Sequence, residues 1–113
     1  MSDCIFCKIA SKDLPSKILF EDEMSLAFLD INPVAPIHVI VIPKIHIDSI
    51  DEMKEEHLLL IGQIHLTIKK LAKELGLSDG YRIINNCGAL GGQTVNHLHF
   101  HILGGRQLQW PPG

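Results

Sequence analysis

The chain has 113 residues and reads as one domain spanning 1–113; with 46% hydrophobic and 20% charged residues it is ordinary globular material, not a disordered tail. A formal net charge of −3 supplies no basic field to hold a nucleic-acid backbone. Its longest apolar runs, such as Val39-Ile40-Val41-Ile42, are strand-length, and no basic segment followed by an apolar stretch marks a secretory signal, so the expectation is a soluble, cytoplasmic domain without membrane or nucleic-acid partners.

In chain order, residues 4–11 predict a short helix or turn, closed by Lys12-Asp13-Leu14-Pro15 because proline disfavours helix in the residue before it. Residues 18–21 and 26–31 predict two short strands joined by the polar turn Glu21-Asp22-Glu23, and Asn32-Pro33-Val34-Ala35-Pro36 is a loop. Residues 38–42, apolar and β-branched, predict a central strand covered on both faces. Ser49-Ile50-Asp51-Glu52 has the form of a capping box, opening a long amphipathic helix. Along it Leu60, Ile61, Ile64, Ile68, Leu71, Ala72 and Leu75 recur at spacings of three and four, and Gly76 suits its C′ position. Residues 81–86 predict a strand, Cys87 to Gly92 a flexible loop, and residues 94–103 the last strand. The class expected is α+β: about five mainly antiparallel strands, one long helix and a short N-terminal one.

Seven histidines and three cysteines remain to be placed. Three of the histidines form His97-Leu98-His99-Phe100-His101, where strand alternation would present the imidazoles on one surface, about 7 Å apart, and send Leu98, Phe100 and Ile102 to the core. Such an array is a solvated face, a metal site, or an imidazole nucleophile with flanking donors. The last is chemically sufficient to attack phosphorus, since a neutral imidazole persists near its ordinary pKa of about 6.5. Gly91-Gly92-Gln93-Thr94 just before the array suits an anion: glycines admit close approach of backbone N–H groups, and the next two residues add donors. Cys4-Ile5-Phe6-Cys7 reads as a metal-binding or redox pair before it reads as a bridge. Cys87 is read as incidental, and His57 and His65 as surface residues of the long helix.

The segment His97-Leu98-His99-Phe100-His101-Ile102-Leu103 resembles the signature of the histidine-triad (HIT) superfamily. Ala27-Phe28-Leu29-Asp30-Ile31, Ala35-Pro36-Ile37-His38 and Gly91-Gly92-Gln93-Thr94-Val95 extend the resemblance over nearly the whole chain, and the ending Trp110-Pro111-Pro112-Gly113 is similar to its nucleotide-binding (HINT) branch. The resemblance implies a homodimer whose sheets join, with a purine nucleotide (AMP, GMP or an adenosine conjugate) at each triad. It implies hydrolysis of nucleoside 5′-phosphoramidates through a nucleotidyl-histidine intermediate on His99, with His101 on the phosphate oxygens and His97 and His38 in support. Asn86, Gly92, Gln93 and Thr94 correspond to its phosphate and leaving-group contacts, Asp30 to its ribose ligand, Phe6, Phe28 and Ile31 to its base pocket, and Trp110 to a residue reaching the partner's site. Cys4, Cys7, His46 and His97 match a structural zinc site of some members. The rival readings are a dinucleoside polyphosphate hydrolase and a nucleotide-sensing interaction protein with vestigial activity.

Overall fold

The computed structural model describes residues 3–113. Five strands form one antiparallel sheet in the order β1-β2-β3-β5-β4: β1 Ile18–Glu21, β2 Ser25–Leu29, β3 Ile37–Pro43, β4 Tyr81–Ile84 and β5 Phe100–Gly104. Helix α1 spans Ile5–Ala10 and α2 Leu58–Glu74. The α+β class, the five antiparallel strands and the two unequal helices are as the sequence predicts.

The strand alternation of β2 and β3 divides the interior in two. Ala27, Val39 and Val41, with Phe100 and Ile102 from β5, meet Leu60, Ile64, Ile68 and Leu71 of α2. Leu26, Phe28, Ile40 and Ile42 face the other way, onto Phe6 and Ile9 of α1. Both faces of β3 are therefore covered, as its unbroken apolar run requires. Leu98, Phe100 and Ile102 all lie in the α2 layer.

α2 stops as Gly76 predicts. Gly76 has φ 79°, its N–H donates to Lys73 O, and Leu77 N–H donates to Ala72 O, the paired bonds of a Schellman cap. A Cβ at Gly76 would meet nothing within 4 Å, so Gly76→Ala carries backbone strain alone. It should cost about 1 kcal/mol and lower Tm by roughly 4–8 °C in thermal unfolding.

β2 and β4 each stop two residues before the predicted end, at Leu29 and Ile84, and two further boundaries differ more. Ser49 makes no side-chain capping bond; residues 50–52 form a single 3-10 turn that ends where Met53 turns extended. A second such turn at 55–57 precedes α2, so His57 stands before the helix, its Nδ1 accepting the Lys54 N–H. The last strand begins at Phe100 instead of Thr94. Val41↔Phe100 is the final β3–β5 pair, and two residues on Pro43 has no N–H to extend the ladder. Residues 94–99 instead bend across the end of the sheet, held in part by a bond from Leu98 N–H to Ile47 O. Among the described residues no helix is long and apolar enough to cross a membrane.

Candidate active site and metal centre

The bend at 94–99 changes how the histidine array is presented. His97 and His99 are buried and His101 is half-buried, so the imidazoles do not line an open strand surface. The His99 and His101 rings lie 5.0 Å apart, closer than the spacing of a regular strand, and the Phe6 ring stands edge-on at 5.0 Å to His99 and 5.9 Å to His97.

The hydrogen bonds assign each ring a tautomer. His99 Nδ1–H donates to His97 O at 2.7 Å, leaving Nε2 with a free lone pair. His101 lies opposite Ile40 in the β3–β5 register, and His38, two residues before Ile40, shares that face. The Val34 N–H donates to His38 Nδ1 at 3.1 Å, so the His38 proton sits on Nε2. That proton faces His101 Nδ1 at 2.9 Å and Asp30 Oδ2 at 3.2 Å. His101 then accepts at Nδ1 and carries its own proton on Nε2. Asp30, His38 and His101 have ligand atoms within 4.8 Å of one another. A cation on His38 Nε2 would nonetheless require an imidazolate, because Nδ1 is already an acceptor. The group is better described as a hydrogen-bond relay.

Burial keeps these rings neutral. It pushes His38 and His99 below the usual imidazole value, with Asp30 opposing in both cases and the His97 carbonyl in the second. His101 is lowered to about 4, by burial first and then by His99 and His38.

The second group adjoins the first through His97. Cys4 Sγ lies 3.2 Å and Cys7 Sγ 3.5 Å from His97 Nδ1; His46 Nδ1 is 3.3 Å from Cys7 Sγ and 3.2 Å from His97 Nδ1. Four ligand atoms within 4.8 Å of one another lie close enough to hold a metal ion. The outer nitrogens are spoken for: His97 Nε2–H donates to Pro43 O at 2.9 Å and His46 Nε2–H to Asp48 Oδ1 at 2.6 Å. Both Nδ1 lone pairs therefore point inward, the arrangement that carbonyl or carboxylate partners impose on metal-binding histidines. Burial, with Cys4 beside it, pushes the Cys7 thiol up to about 11, and burial lowers His97 to about 4.

Phe6 and Phe28 are buried edge to face, 5.6 Å apart, whereas Ile31 is 89% exposed and does not join them. Asp30 Oδ1 also accepts the Asn32 N–H at 2.7 Å, an Asx-turn. Asn86 and Gly92 adjoin in the glycine loop, the Asn86 Nδ2 lying 4.0 Å from where a Gly92 side chain would begin. Gln93 turns its amide onto backbone: Nε2 donates to Asp48 O and Val95 O, and Oε1 accepts from Gly88 N–H. Thr94 is exposed and lines a groove with Cys4 and His46. Trp110 is 80% exposed. Cys87 is half-buried, His65 is exposed on α2 against Phe100, and Arg106 donates to Val34 O at 3.1 Å.

The model of the HIT domain matches residues 11–108. The chain belongs to the HIT family. An uncharacterized HIT-like protein of Synechococcus elongatus is 50% identical over 111 residues, covering 98% of this chain and 97% of that one. The crystal structure of a HIT family hydrolase from Legionella pneumophila superposes with a TM-score of 0.97 at 47% identity, covering 98% of this chain and all of the other (100%). A histidine triad protein from Clostridium difficile gives 0.93 at 50% identity, with 96% of each chain covered.

In this HIT domain three supporting groups escape a reading of the sequence. Asn85 Nδ2 donates to His99 O at 2.9 Å, Pro43 O orients His97, and Asp48 orients His46. Asn85 carried a visible signal as a polar residue beside Asn86 at a strand end. The Pro43 carbonyl carried none, because main-chain acceptors leave no mark on side-chain identity.

Proposed function

We propose that the protein is a HINT-like nucleoside phosphoramidase, a cytoplasmic homodimer of single histidine-triad domains (1–113) that hydrolyses purine nucleoside 5′-phosphoramidates such as adenosine conjugates. The observation that carries this reading is the free Nε2 lone pair of a neutral, main-chain-anchored His99 beside the His101 donor. His99 Nε2 attacks the α-phosphorus, the N–P bond to the enzyme forms, and the substrate P–N bond breaks as the amine leaves with a proton from solvent. Water then attacks the same phosphorus, releasing the nucleoside monophosphate and restoring His99. The His101 Nε2–H is aimed at phosphoryl oxygens, with its tautomer set by His38. Asp30 serves the ribose, Phe6, Phe28 and Ile31 the base, and Asn86, Gly92 and Thr94 the phosphate. The hydrolase name of the Legionella relative is consistent with this chemistry.

Zinc fits the Cys4–Cys7–His46–His97 group. Tetrahedral zinc with these donors needs donor–donor edges of roughly 3.3–3.8 Å, against the 3.2–3.5 Å contacts present. Two soft sulfurs and two inward imidazoles are its preferred set. With four protein ligands the site is closed and structural, cross-linking the N-terminal turn to residues 46 and 97, and free thiols there suit a reducing compartment. Dimerisation through β4 is supported by its open edge, by exposed Tyr81 and Ile83 on it, and by exposed Leu58, Leu59 and Leu66 on α2.

The test is cleavage of adenosine 5′-phosphoramidate against diadenosine tetraphosphate across pH. Phosphoramidate should be the faster substrate by about tenfold or more, a difference of ~1.4 kcal/mol in barrier. Because burial lowers the His99 pKa, the neutral nucleophile persists on acidification and activity should hold from pH 8 to below 6.5. An acid limb centred above 6.5, or preference for the polyphosphate, would contradict the assignment.

A further inference from the structure

Gln93 stands in the glycine loop where a donor to phosphate is expected, yet its amide has little left to donate. A carboxamide has two N–H donors. In Gln93 they face Asp48 O at 2.7 Å and Val95 O at 3.0 Å, while Oε1 takes the Gly88 N–H at 2.9 Å. The three partners belong to three different segments. Gly88 begins the glycine loop, Val95 enters the bend that carries His97 and His99, and Asp48 is the residue whose carboxylate orients His46. The loop's own bonds are turn bonds of a few residues: Gly91 N–H and Gln93 N–H to Gly88 O, and Gly92 N–H to Ala89 O. These bonds fix the loop's internal shape and tie it to no other segment; the Gln93 amide is what bonds it to residues 48 and 95.

We propose that Gln93 is a positioning residue that pins the glycine loop onto the 46–48 segment and the histidine bend, and makes no contact with substrate. The loop, the nucleophile's approach segment and the His46 side of the metal centre thereby form one mechanical unit. The backbone N–H groups of Ala89 and Leu90, which none of these bonds uses, are held ready for an anion instead of being ordered by it, which lowers the entropic cost of binding. That the anion is a nucleotide phosphate rests on the function proposed above. The pinning itself does not, so it is tested without ligand.

Gln93→Met keeps the side-chain volume and removes all three bonds; Gln93→Glu keeps the acceptor for Gly88 N–H and turns an oxygen against two carbonyls. In the ligand-free proteins, hydrogen exchange at the amides of Gly91, Gly92 and Gln93 should quicken about tenfold or more in both variants, and at Gly88 in Gln93→Met, equivalent to ~1.4 kcal/mol of lost protection. Amides of Ile40 and Ile64, in the sheet and α2, serve as the internal reference and should not change. By calorimetry, AMP affinity should then fall about tenfold in Gln93→Met, with adenosine affinity held within about twofold. Unchanged loop exchange in both variants overturns the pinning, and unchanged exchange with weakened AMP binding identifies Gln93 as a direct phosphate contact. Faster exchange throughout the fold reduces Gln93 to a general stability residue. A loosened loop with AMP affinity intact overturns the role of pinning in phosphate binding. None of these outcomes bears on whether His99 is the nucleophile.

Discussion

Replacing His99 with alanine should lower turnover of adenosine 5′-phosphoramidate by roughly 10³–10⁵-fold, the scale of losing a nucleophile while binding and electrostatic contacts survive. The free Nε2 is the group removed; the relay of Asp30, His38 and His101 stays in place, because none of its bonds passes through the His99 ring. AMP affinity should therefore change by no more than about threefold, or ~0.7 kcal/mol. Steady-state rates paired with calorimetric AMP titration separate the two effects. Turnover within tenfold of the parent protein would remove His99 from the nucleophile role. Loss of AMP binding in a folded variant would instead place His99 among the binding contacts.

The second large effect concerns the proposed zinc site of Cys4, Cys7, His46 and His97. Stripping the metal, or substituting Cys4→Ser or Cys7→Ser, should lower Tm by about 10–20 °C, equivalent to ~2–4 kcal/mol for a domain of this size. The figure is smaller than for a zinc finger because the layer between the sheet and α2 is built without help from the site. What depends on it is α1, whose Phe6 and Ile9 cover the opposite face. The pH dependence follows in sign. With the metal-free Cys7 thiol at about 11, the ion must displace a proton from sulfur, so its affinity rises with pH. The Tm difference between loaded and stripped protein should accordingly shrink as pH falls from 8 to 5. Less than about a tenth of an equivalent of zinc in unchelated protein, with Tm unmoved by Cys4→Ser, would dismiss a structural metal.

The parts of the fold legible in the sequence were those written in local pattern. β1, the doubly covered β3 and the glycine stop of α2 follow from alternation, β-branching and the left-handed φ at Gly76. The start of β5 was not legible, because it depends on a proline 57 positions earlier in the neighbouring strand. Ser49 matched a capping box in spelling, but Met53 turned the chain extended before a helix could follow. The candidate site shows the same division. The four metal-site side chains come together as read, since each is named by its own chemistry. For Gln93 the sequence suggests a ligand contact and is silent on its backbone bonds, because the partners, two carbonyls and an N–H, lie in backbone that any residues could supply. Ile31 is assigned to the base by family position alone, because the turn made by Asp30 and Asn32 leaves its side chain exposed and apart from Phe6 and Phe28.

The three histidines of the array are the same letter but not the same reagent. His97 meets Pro43 O, His99 meets His97 O, and His101 meets His38, so along the array the outward nitrogen is lone pair, lone pair, then N–H. On the proposed function, two are bases differing in what they face, a cation site or a phosphorus, and the third is an acid toward oxygen. In water each would exchange freely between tautomers. Here the surrounding backbone and His38 make the choice, so the division of labour within the array is a property of the fold, and a free peptide with the same seven residues would not possess it.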